Sequence, residues 1–223
     1  MTQFSLEVAG DFGCFTRPEM KVERVSYDVI TPSSVRSIFE AILWKPAIRW
    51  QPERIEMLAP IRWTSVRRNE VSSKMSKNGG ISGAYIEDER QQRAGLFLRD
   101  VHYRLTARLY MTEQAGPDDN PTKFAEIFQR RLEKGQCFNQ PYLGCREFAC
   151  DFRPIRDKVS LDPDTLSNQD RRLLGFEGAR PLGWMLYDLD FRDPASPSPR
   201  FFNPWIENGI VAIPAADSEE VRG

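Results

Sequence analysis

Hydrophobic and polar positions alternate from the first residues, and the period changes along the chain. In "FSLEVAGDFGCFT", Phe4, Leu6 and Val8 alternate with polar positions, which predicts a half-buried strand. In "TPSSVRSIFEAILWKP" the apolar residues Val35, Ile38, Phe39, Ile42 and Leu43 recur at helical spacing. Thr31 is placed as N-cap, Pro32 at the first helical position and Pro46 as the stop. Period two returns at Ile48/Trp50, Ile55/Met57 and Ile61/Trp63, which read as separate strand pieces. "SVRRNEV" and "RAGLFLRDVHYRLTARLYMT" read as arms of a hairpin or as successive strands, the second with a slip near Asp100 that suggests a bulge.

A second helix opens at "NPTKFAEIFQRRLEKG". Asn120 is the cap and Pro121 the first position; Phe124, Ile127, Phe128 and Leu132 form one stripe, and Gly135 is the stop. "GQCFNQPYLGCREFACDF" reads as a glycine-punctuated loop feeding a strand, and residues 154–180 as polar loop. "GWMLYDLDF" and "GIVAIP" read as strands, "DPASPSPR" as a connector and "AADSEEVRG" as a mobile acidic tail. The order strand, helix, strands, helix, strand predicts an α+β, ferredoxin-like (RRM-like) domain over 1–153, with a basic hairpin or loop near 66–95. Residues 154–223 form a smaller β-rich part.

Composition narrows this little: 40% hydrophobic, 28% charged and 11% aromatic residues are ordinary for a globular chain. No run of about 18 apolar residues exists to span a membrane, and the N-terminus lacks a signal-peptide pattern, so a cytoplasmic protein is expected. Four cysteines without a C-x-x-C pair and a single histidine, His102, argue against a metal site; no cofactor fingerprint occurs.

Charge distribution changes the picture more than net charge, which is −1. Arg62, Arg67, Arg68, Lys74 and Lys77 fall within residues 61–80 against one acid, Glu70, and suggest a local polyanion track. Residues 161–223 carry six basic and eleven acidic groups. Lys123 is a cation in the first turn of its helix, where the dipole is already positive. A solvated surface lysine is one reading. The other is an anion such as a phosphate, held by Lys123 with the cap region of Asn120 and Thr122.

The strings "GDFGCFTRPE…SYDVITPSSVRSIFEAILWKP", "PIRWTSVRRNEV", "LRDVHYRL", "NPTKFAEIFQRRLEKGQCFNQPYLGCREF" and "ENGIVAIP" resemble a CRISPR-associated family. It is the RAMP-superfamily precursor-CRISPR-RNA endoribonuclease, the 5′-handle-binding subunit of the subtype I-C Cascade complex. The resemblance spans about residues 3–214 in matching order. It implies metal-independent cleavage at the base of the repeat hairpin, with the 5′ handle retained. It also implies a place in Cascade beside the backbone and large subunits, meeting target DNA through the assembled complex. The family's active site combines a tyrosine after the first helix with a lysine–histidine pair opening the second. Lys123 matches the lysine, whereas Phe124 stands at the histidine position and Leu43 at the tyrosine position. Tyr27 and Tyr142 are therefore candidates for the missing proton carrier beside Lys123. A binding-only role on the 5′ handle is the alternative.

Overall fold

The computed structural model describes residues 2–72, 86–157, 160–193 and 195–223. In chain order the elements are β1 (Thr2–Gly13), α1 (Pro32–Ile42), β2 (Ile48–Met57), β3 (Trp63–Val71), α2 (Ile86–Glu89), β4 (Arg90–Met111), α3 (Pro121–Glu133) and β5 (Asp151–Pro154). A 3-10 turn (Pro163–Thr165), α4 (Asn168–Leu173), β6 (Arg180–Pro181), β7 (Met185–Asp190), β8 (Ser198–Phe202), β9 (Trp205–Glu207) and β10 (Ile210–Ala212) follow. The fold is α+β and sheet-rich. The main sheet runs β5-β1-β4-β2-β10-β9-β6, all antiparallel, with β3 paired to the outer half of β4.

The period-two pattern does what it implies. Leu6, Val8, Ile55, Met57, Tyr103 and Leu105 are buried on one face of the sheet. The α1 and α3 stripes cover that face, with Phe39, Trp50 and Phe128 in mutual ring contact at 4.6–5.6 Å between centroids. The opposite face is polar: Arg104 bridges Glu7 and Glu56 at 2.9 and 3.2 Å, and Ser5 meets Thr106 at 2.8 Å. β4 is a single 22-residue strand. Its slip is at Asp100, whose φ of 53° lies in the left-handed region, and the β1 partner register steps from Gly10↔Val101 to Phe12↔Arg99 there.

Several expectations change. α1 ends at Ile42, with Leu43 already extended at φ −148°, three residues before Pro46. The two pieces around Ile48 and Ile55 are one strand bent by an irregularity at Pro52/Arg54. The stretch 154–180 contains a 3-10 turn and α4, whose cap is Ser167. "SPR" belongs to β8 rather than to a connector. The acidic tail is not loose: Val221 is buried, Arg222 exchanges backbone hydrogen bonds with Phe201, and Arg200 donates to the carbonyls of Ala216 and Val221. Those last polar contacts, not the composition of the tail, order it.

Candidate nucleic-acid interface

The start of α3 is built from a loop. Asn120 Oδ1 accepts the Lys123 N–H at 2.8 Å, and Pro121 has no N–H to satisfy, which leaves Thr122 as the remaining exposed first-turn donor. Lys123 is half-exposed, and its Nζ lies 3.0 Å from Asp119 Oδ1. Asp119 Oδ2 accepts the Gly116 N–H at 3.1 Å. The hydrogen bond from Lys123 first, then that of Gly116, holds the Asp119 carboxyl below its ordinary value, and the charge of Lys45 acts the same way. Thus an anion already sits where the dipole asks for one: Asp119 explains the placement of a lysine in the first turn. Lys45 and Lys123 thus both direct positive charge at Asp119.

The two positions where the resemblance lacks a proton carrier are interior. Phe124 is 3% exposed and Leu43 is 1% exposed. Phe124 packs in the core with Phe128 and Leu132, and its ring lies 5.5 Å from Lys123 Nζ. The Leu43 carbonyl accepts the Trp50 Nε1–H at 2.8 Å.

The two tyrosine candidates part company. Tyr142 is exposed on the loop after α3, in an isolated bridge with Ala149. Tyr27 is buried; burial pushes its hydroxyl up, its oxygen accepts the Leu186 N–H at 3.2 Å, and Arg17 lies over its ring at 4.6 Å. Tyr27 ties the loop before α1 to β7 and is a packing residue, out of reach of a surface ligand. His102 stands on the polar sheet face, 3.8 Å from Glu7, with desolvation holding its pKa below the usual value.

The basic cluster also divides. Arg62 is gripped by both carboxylate oxygens of Asp170, the second at 2.9 Å, so it straps β3's approach to α4. Arg68 pairs with Glu147 and Glu70 and covers the Phe97 ring at 5.3 Å. Arg67 alternates to the exposed side of β3 and has no ion pair among the described residues. Lys74 and Lys77 lie outside the described residues. On α3, Arg131 donates to the Ile42 carbonyl at 2.6 Å and so closes the end of α1.

Sequence reasoning missed the surface beside Tyr142. Trp44, Phe138 and Arg146 join Tyr142 around one open cavity of about 690 Å³. The available signal was Trp44 itself, a large aromatic two residues past the end of α1 and directly after the buried Leu43.

Fold and site together define a sheet-rich α+β protein that presents a lysine-flanked helix start and an aromatic, arginine-bearing cavity. A family model described as CRISPR-associated protein (Cas5), of the Cas5d type, matches residues 4–214. The CRISPR pre-crRNA endoribonuclease Cas5d of Mannheimia succiniciproducens is 49% identical over 97% of this chain and 97% of its own length. That of Thermus thermophilus is 38% identical over 99% of this chain and 95% of its own. A crystal structure of a CRISPR-associated protein superposes with a TM-score of 0.68 at 20% identity, covering 100% of this chain and 97% of that one, which bears on the fold. The chain belongs to the Cas5d family. Among the described residues no helix is long and apolar enough to cross a membrane.

Proposed function

We propose that this protein cuts precursor CRISPR RNA at the repeat hairpin, without a metal ion, and keeps the 5′ handle within a type I-C Cascade. The observation that carries the reading is the 49% and 38% identity, over nearly the whole chain, to two proteins named as CRISPR pre-crRNA endoribonucleases. The strand order β5-β1-β4-β2 with α1 and α3 on one face supports a ferredoxin-like arrangement for residues 1–153. Residues 154–223 then extend its sheet and pack behind α1. The working environment is the cytoplasm. The partners are CRISPR RNA, the backbone and large subunits and, through the assembly, target DNA.

In metal-independent cleavage the 2′-oxygen attacks the adjacent phosphorus, its proton going to a base. The phosphorus–O5′ bond breaks, leaving a 2′,3′-cyclic phosphate and a 5′-hydroxyl that has taken a proton. Lys123 is assigned to the charge that builds on the non-bridging phosphate oxygens, exchanging Asp119 for the phosphate. Tyr142, exposed on its loop, is assigned to proton transfer. Arg67, Asn120 and Thr122 are assigned to the RNA backbone; Lys74 and Lys77 remain with them on sequence grounds.

One observation favours a second reading. Phe124 and Leu43 are buried where the family carries its histidine and tyrosine, so a protein that grips the 5′ handle without cutting is the alternative. Incubation with repeat RNA in EDTA separates them. Cutting that survives EDTA, stops with a 2′-deoxy sugar at the cleavage site and falls at least tenfold in Lys123→Ala supports the enzyme. Intact RNA with a clear gel shift leaves the scaffold.

A further inference from the structure

The cavity at the end of α1 is unusual for what it leaves in water. Trp44, Phe138 and Tyr142 are 58%, 81% and 36% exposed, and all three line it. Large aromatic rings left open on one concave surface are matched by a ligand with flat apolar faces.

The rings are held there by a rigid frame. A helix end leaves its last carbonyls without partners, and here other elements supply them. The N–H groups of Phe138 and Asn139 both reach the Ala41 carbonyl, at 2.8 and 3.3 Å. Arg131 takes the Ile42 carbonyl and Trp50 that of Leu43. The chain therefore leaves α1 in an extended conformation at Leu43 and turns Trp44 outward, opposite a loop bonded to the same helix end.

The polar groups around the rings say which flat ligand. Glu40, the carboxylate in the wall, is engaged by Arg36 at 2.7 Å. Arg146 and the Asn139 side chain make no hydrogen bond or ion pair among the described residues. Gln140 spends its amide nitrogen on the Cys150 carbonyl at 3.0 Å, which leaves its oxygen as an acceptor. An amide pair of this kind reads the edge of a base, and a guanidinium stacks on it or meets its phosphate.

We infer that this cavity receives one unstacked nucleobase of the bound RNA, clasped by Trp44 and Phe138 with Tyr142 at its side, Arg146 above and Asn139 and Gln140 at its edge. The inference rests on the RNA-processing reading and adds a specificity subsite to it. An unpaired nucleotide enters; a base within a duplex does not.

The test uses the full-length protein, repeat-hairpin RNA carrying its unpaired flanks, and a fully paired RNA of equal length. Trp44→Ala with Phe138→Ala is expected to weaken binding of the flanked hairpin by roughly tenfold or more and leave the duplex unchanged, with Trp44→Phe retaining most of the affinity. With 2-aminopurine placed in turn at each unpaired position, one position is quenched by the native protein and recovers in the double variant. Equal affinity of native and double variant for the flanked hairpin, or equal loss on both RNAs, overturns the subsite. So does a double variant that keeps RNA affinity but loses self-association or subunit binding. Absence of any RNA binding by the native protein instead overturns the RNA-processing reading itself. Because both substituted rings are exposed, an unchanged circular dichroism spectrum certifies the variants as folded.

Discussion

Asp170 shows how a single side chain can change the meaning of another far away. It lies 108 residues beyond Arg62 in the chain, is 5% exposed, and takes both arms of that guanidinium as well as the Ser167 hydroxyl. Arg62 and then Ser167 pull its carboxyl down to about 2, although burial alone would raise it. A carboxyl at its unfolded value of 3.8 and its folded value of about 2 binds fewer protons in the native state between those limits. Its stabilisation is therefore complete above pH ~4 and disappears as pH falls through ~2, a contribution of about 1 kcal/mol once solvent screening at the partly open Arg62 is counted. Urea unfolding of native protein and Asp170→Asn should differ by that amount at pH 7 and converge near pH 2; parallel curves across this range would refute the assignment. Nothing in the neighbourhood of "APIRW" announces such a partner. That is why Arg62 reads from sequence as one more member of a basic cluster. Lys123 is the contrasting case: its anomaly was visible, and the answer, Asp119, stood four residues away.

At the scale of elements, α1 and α3 were legible because capping residue, proline and apolar stripe all agree within one continuous stretch. α4 was not, since six residues hold fewer than two helical turns and show no period. The β3–β4 hairpin was legible as an alternative, and its internal division was not. Arg67 and Arg68 are adjacent, so they point to opposite sides of β3. One is open to solvent and the other is locked between Glu147, Glu70 and the face of Phe97. These neighbours should behave differently on RNA. Arg67→Ala is expected to lower the slope of log affinity against log salt by about 1 while leaving thermal stability unchanged. Arg68→Ala should lower the melting temperature and move the salt slope less. The reverse ranking in a salt titration, or identical slopes for both, would remove Arg67 from the RNA track.

For the whole molecule, the distinction between an N-terminal and a C-terminal part meets a sheet that does not stop at residue 153. β10 pairs with β2 from Arg54 to Glu56, and β9 and β6 extend the sheet beyond it. Ile206 and Val211 are fully buried in the same core as Ile55. That continuity was hidden because strands of two or three residues carry almost no periodic signal. A chain ending at Pro204 lacks β9 and β10 and uncovers the edge of β2. It is expected to lose solubility and to scatter light as aggregates, whereas a monodisperse product with an unchanged melting temperature would show the seam to be dispensable.

The pairing of β10 with β2 also imposes a timetable on biogenesis. As the polypeptide emerges from the ribosome, β1, β2 and β4 can assemble while one flank of β2 still waits for a strand that has not been translated. The nascent protein carries that exposed hydrogen-bonding rim until residue 210 is made, so an elongation stall in the intervening stretch would leave it open to illicit pairing with other chains.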